Sequence, residues 1–178
     1  MHRSRCLLAA WFLISVFPLV AQVRPVAPLR FPVDLRQVTQ KAGMIFTGRV
    51  ASVTPIRAAG SDQISSVAIT FQVEQAIRGT RAGEKLTIHE WAGLWTTGER
   101  YRVGERLTLF LHAPSKLGLT SPVGGPAGRF AVDQSGRVLL DPLQAQTIKA
   151  MPVPVRIDPK RRVPLLDFKR AIQHMAEE

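Results

Sequence analysis

Val67-Ala68-Ile69-Thr70-Phe71-Gln72-Val73-Glu74 alternates large apolar side chains with small or polar ones. That period of two is the mark of a strand with one face on a core and the other toward water. Upstream, Met44-Ile45-Phe46-Thr47-Gly48-Arg49-Val50 opens a second strand over 44–53, with Met44, Phe46 and Val50 on one face and Gly48 between them. A glycine inside a strand marks a bulge or sharp bend, which a single sheet needs if it is to curl into a small barrel. A polar loop over 58–63 joins the two. Downstream, Arg78-Gly79-Thr80 and Gly83 punctuate the chain before Leu86 and Ile88 resume the alternation with Lys85, Thr87 and His89 opposite. Leu107, Leu109 and Leu111 alternate with Thr108, Phe110 and His112, so this strand is partly apolar on its second face and calls for a second covering element. Residues 129–133 and 137–140 flank Gln134-Ser135-Gly136 and read as a hairpin.

The flanks differ in kind. Residues 1–21 read as a secretory signal peptide: His2, Arg3 and Arg5 are a basic start, 7–17 an apolar run, Pro18 a break, and Ala21 a small residue before Gln22. The apolar stretch 7–21 is shorter than the roughly 20 residues of a membrane span. Removal of the leader discards Cys6, the single cysteine, and with it any disulfide or thiol chemistry. Residues 22–43 read as an extended leader followed by a short helix, with Asp34 as N-cap, Leu35, Val38 and Ala42 on one side, and Gly43 as the left-handed residue after the last turn. The prolines at 142, 152, 154, 159 and 164 disfavour a continuous helix and predict an extended, wrapping or linking segment over 143–164. Over 165–178, Leu165, Phe168, Ile172 and Met175 follow helical spacing, an amphipathic helix expected to dock on its own domain.

The fold class is therefore mainly β: a small five- or six-stranded OB-like barrel over 44–142, with a short N-terminal helix and an amphipathic C-terminal helix. The succession Met44-Ile45-Phe46-Thr47-Gly48-Arg49-Val50, Thr70-Phe71-Gln72-Val73-Glu74 leading to Arg78-Gly79, Gly83-Glu84-Lys85-Leu86-Thr87-Ile88 and Gly98-Glu99-Arg100-Tyr101 resembles bacterial secreted domains similar to the netrin and tissue-inhibitor-of-metalloproteinase OB-fold. The resemblance covers 44–112. It implies an OB barrel and, by extension, an inhibitor or accessory subunit of an extracellular protease. One departure bears on that role. The metalloproteinase inhibitors place an N-terminal, disulfide-tied cysteine on the protease zinc, and this chain has no cysteine after position 6.

Charge narrows the partners. The chain has 24 Lys and Arg against 13 Asp and Glu, a formal charge of +11, and loss of Arg3 and Arg5 with the leader leaves +9. Outside the cytoplasm such a surface meets envelope phosphates, acidic glycans or acidic proteins rather than nucleic acid. No cofactor and no metal are implied: His89, His112 and His174 lie on separate elements, and His89 and Glu90, adjacent on a strand, point to opposite faces. Ser115 and Ser121 lie in the 115–128 loop, which supports a hydrolase reading, but neither sits in a G-x-S-x-G elbow.

The densest candidate site is Trp91-Ala92-Gly93-Leu94-Trp95 followed by Glu99-Arg100-Tyr101-Arg102, together with Arg129 after the glycine-rich loop. Exposed aromatics beside arginines stack on flat ligands and pair with their anionic groups; buried, they plug the core while the arginines snorkel outward. The expectation is a secreted or periplasmic, noncatalytic module that binds an extracytoplasmic protein or anionic envelope polymer through Trp91, Trp95, Arg100, Tyr101, Arg102 and Arg129.

Overall fold

The alternation at 67–74 lies within a long strand, β2 (Ile64–Arg78), which pairs antiparallel with β1 (Met44–Arg57) on one side and β3 (Lys85–Trp91) on the other. β4 (Arg106–Leu111) pairs with β1, and β5 (Arg129–Ala131) with β4, giving an antiparallel five-stranded sheet of order β3-β2-β1-β4-β5. The computed structural model describes residues 34–97, 100–149 and 155–177. The expected signal peptide at 1–21 and the expected extended leader that follows it fall on residues 1–33, outside the described residues. Those described fall in one unit, Phe31–Glu178, and no helix among them is long and apolar enough to cross a membrane.

Bulges bend the long β1–β2 ladder. Its register shifts at four places, one between Thr47 and Gly48. A Cβ on Gly48 would lie 2.8 Å from the Gln72 carbonyl oxygen, so glycine alone permits this approach of the two backbones. One face of the bent sheet carries Phe46, Val50, Val67, Ile69, Phe71, Ile88 and the three leucines of β4, all buried together. Phe71 meets Phe46 and Tyr101 edge to face, with ring centres 5.4 and 5.6 Å away. Past Arg49, β1 has no strand beside it on the β4 side among the described residues, and Pro55 lies on that free edge.

At its β1–β4 end the sheet is apolar on the second face too. Ile45 and Phe110 point there, and the Thr47 and Thr108 hydroxyls between them hydrogen-bond each other at 2.8 Å. The expected second cover is present: α1 (Leu35–Lys41) and α4 (Leu165–Glu177) supply Leu35, Val38, Phe168, Ile172 and Met175, and the Phe110, Phe130 and Phe168 rings pack together. Asp34 caps α1 by accepting from the Arg36 N–H at 2.9 Å.

After β4 the chain runs back beside both β3 and β4. Leu119 forms a parallel bridge with His89, and the Thr120 N–H donates to the His89 carbonyl at 2.8 Å; Pro122 bridges Leu111, and the Val123 N–H donates to the Phe110 carbonyl at 2.8 Å. Residues 124–128 leave the sheet in a 3-10 turn before β5 returns to β4. A Cβ on buried Gly128 would collide with the Val123 carbonyl, so this glycine serves packing.

Three local expectations change. Gly43 is not left-handed; a side chain is excluded because its Cβ would lie 2.7 Å from the Ala113 nitrogen. The 143–164 segment is not extended throughout. It begins inside α3 (Pro142–Lys149), where Pro142 occupies a first-turn position that needs no N–H and Asp141 and Gln144 form reciprocal side-chain to backbone bonds at 2.8 and 2.9 Å. It ends in β7 (Arg162–Pro164), which pairs with β6 (Arg137–Leu139). The 134–136 turn does form, with the Asp133 N–H on the Arg137 carbonyl at 2.9 Å and Val132 bridging Val138, but the two strands of the expected hairpin then part, β5 to β4 and β6 to β7.

Arg78 joins the helical cover to the sheet. Its guanidinium donates to the carbonyls of Thr39 (2.7 Å) and Ala42 (3.0 Å) at the end of α1 and to that of Ala176 (3.3 Å) at the end of α4. Both helices thus place otherwise unpaired carbonyls and negative dipole ends on one cation. Arg78→Ala is expected to lower stability by about 2 kcal/mol in urea unfolding, and Arg78→Lys to restore only part of it, because a compact ammonium does not span both helix ends as the planar fork does.

Candidate functional site

Three consecutive residues at the end of β3 serve different surroundings. Glu90 turns inward and is 3% exposed, whereas His89 and Trp91 turn outward, Trp91 with 59% of its surface open. The strand alternation alone sets this division.

Inside, the Glu90 carboxylate accepts from the Tyr101 hydroxyl at 2.8 Å and from the Trp95 indole N–H at 3.1 Å. Trp95 is carried by the short helix α2 (Leu94–Thr97), and Tyr101 is almost wholly buried. The Arg129 guanidinium lies 4.3 Å over the Tyr101 ring, binds both oxygens of Glu105 at 3.0 and 2.9 Å, and donates to the Arg100 carbonyl at 3.2 Å. Its side chain is 7% exposed. Burial pushes the Glu90 carboxyl above its ordinary range, against the opposing pull of the Tyr101 and Trp95 hydrogen bonds and the Arg129 charge. The Tyr101 hydroxyl is raised as well, by burial first and then by the Glu90 charge.

The six residues singled out from sequence therefore divide. Trp95, Tyr101 and Arg129 come together, facing inward as a plug under the sheet. Trp91, Arg100 and Arg102 stay at the surface. Glu90 and Glu105, which hold the plug, were not among the six; the signal for Glu90 was a carboxylate in step with Leu86 and Ile88 on the inward side of β3, a position that demands hydrogen-bonding partners. Glu99 lies outside the described residues. Among the described residues no three His, Cys, Asp or Glu side chains group as metal ligands do. Ser115 is committed to its own loop, its hydroxyl accepting from the Leu119 N–H at 3.2 Å.

Outside, Trp91 ends a regular surface. Opposed residues in an antiparallel ladder share a face. The pairing aligns Ile56, Ser66 and Trp91 in one row and Thr54, Ala68 and His89 in the next; Ser52, Thr70 and Thr87 form the third, and Arg49, Gln72 and Lys85 the fourth. None of these residues is buried and none is acidic. Four rows at about 3.4 Å per residue give a track roughly 20 Å long and about 10 Å wide. The Thr70 and Thr87 hydroxyls bond each other at 2.9 Å. The Trp91 ring lies against Gly93, where any Cβ would strike it.

Because the folded state holds the Glu90 proton more tightly than the unfolded chain does, ionisation in the folded state subtracts stability as pH rises from the ordinary value of 4.5 through the raised one. Wild-type stability minus that of Glu90→Gln, from urea unfolding at successive pH values, is expected to fall across that interval and level off above it; a flat difference refutes the assignment. Glu90→Ala, which strands the buried Tyr101 hydroxyl and the half-buried Trp95 indole N–H, is expected to cost about 2 kcal/mol or more at all pH values. Set against known proteins, the chain matches no protein-family model and no curated protein, so a functional reading rests on this geometry.

Proposed function

We propose that the chain is an extracytoplasmic, noncatalytic binding module that takes an anionic envelope polymer on an OB-like barrel similar to the netrin and tissue-inhibitor-of-metalloproteinase domains. The single observation that carries this reading is the division of the aromatic-basic segment. Trp95, Tyr101 and Arg129 are spent on internal bonds, while Trp91, Arg100 and Arg102 are held at the surface of the same frame.

Closure of the sheet into a barrel is supported by the stretch 119–123, which bridges β3 at His89 and β4 at Leu111, the two strands that an open sheet would leave apart. Export is supported by residues 1–21, with their basic start and apolar run. The charge that remains is of the sign that draws polyanions. A noncatalytic role agrees with the use of Glu90, Tyr101 and Arg129 as one another's partners, which leaves them engaged in structure.

Mature protein immobilised and exposed to a periplasmic and secreted extract is expected to retain polyanion at low salt, to release most of it at high salt, and to retain several-fold less in the Arg100→Ala/Arg102→Ala variant. Salt-insensitive retention of a protein alone would shift the reading to a protein partner. No retention at either salt would end it.

A further inference from the structure

Resting on that binding-module reading, we propose that the polymer is a carboxylated polysaccharide and that it runs along the outer face of β1, β2 and β3, from Trp91 to Lys85. Trp91 anchors that path at one end. An indole 59% exposed on a strand, with its ring seated on Gly93, is an apolar plate already fixed in place. The C–H face of a sugar ring covers such a plate without disturbing the ring's hydroxyls.

Beyond Trp91 the rows carry hydroxyls and small side chains, Thr87 and Thr70 at their centre, and so form a shallow strip rich in donors and acceptors. This matches a chain of hydroxylated rings. It does not match a protein interface, which has an apolar centre, nor a single-stranded nucleic acid, which stacks successive bases on successive aromatics where this face has one. Charge selects among glycans. The twelve positions include Arg49, Lys85 and His89 and no acid. Arg49 has Glu74 at 3.8 Å, so Lys85 is the cation left to meet a sugar carboxylate at that end.

The test is affinity electrophoresis of the mature protein through gels containing polygalacturonate, its methyl-esterified neutral form, or oligodeoxythymidylate. Polygalacturonate is expected to retard the protein, with the esterified form at least tenfold weaker. Trp91→Ala and Thr87→Glu are each expected to weaken binding about tenfold or more, the latter by setting a carboxylate on the strip. Gly93→Ala displaces only the far end of the Trp91 ring, so it is expected to weaken binding with the urea midpoint unchanged, and this identifies Gly93 as a positioning residue.

Polygalacturonate binding that survives all three substitutions but fails in Arg100→Ala/Arg102→Ala would overturn the strand-face site and leave the polyanion reading standing. Stronger retardation by the oligonucleotide would overturn the glycan. Retention of envelope polyanion without any polygalacturonate binding would overturn the carboxylated-sugar assignment alone, whereas absence of both would end the binding-module reading as well.

Discussion

The covered half of this protein depends on one guanidinium. Arg78, at the last residue of β2, receives the C-terminal carbonyls of a helix from the beginning of the described chain and of another from its end. Neither helix is long: α1 has seven residues and α4 thirteen. Lengths of that order gain little from helix propensity and stand by packing. A shared cation at their negative ends fixes where both are laid. The second apolar face of β1 and β4, with Ile45 and Phe110, is covered because those helices stop where they do. Among the described residues, the outer face of β2 and β3 receives no such cover.

A second constraint works on the opposite side of the same sheet. Glu90 is a carboxylate where Ile88 and its neighbours are hydrocarbon, and burying it is unfavourable unless its oxygens are occupied. Tyr101 and Trp95 occupy them, and Arg129 with Glu105 orders Tyr101 from beyond. The loop from β3 to β4 is thereby held by polar contacts as well as by hydrophobic burial. This gives the end of β3 a fixed geometry, and Trp91, the next residue, takes its outward direction from it.

How much of this was legible in the sequence follows from which parts carry a period. Strands β2 and β4 were readable because Val67 to Val73 and Leu107 to Leu111 alternate strictly, and the bend at Gly48 was readable because glycine in a strand has few other uses. α4 was readable from its apolar stripe. The pairing of Val138 with Val163 was not: three-residue strands have no period, and their partnership is set by the core beneath them. α3 is hidden because a proline reads as a helix breaker, whereas Pro142 stands in the first turn, where no N–H is needed. At the site, a loop such as 92–105 has no alternation to say which aromatic turns inward. Trp95 and Tyr101 went to the interior and Arg100 and Arg102 to the surface for reasons found only in their partners. The inward Glu90 was the one legible clue.

The free edge of β1 has a consequence for how copies of the chain behave toward each other. An unpaired strand edge offers its backbone to any neighbouring strand, and edge-to-edge addition is how soluble sheets begin to aggregate. Pro55 stands on that edge, with Arg57 two residues on. Proline has no N–H to contribute to an incoming ladder, and a charged side chain beside it makes the seam costlier still. Pro55 and Arg57 thus weigh against strand addition along the margin that β1 leaves open among the described residues.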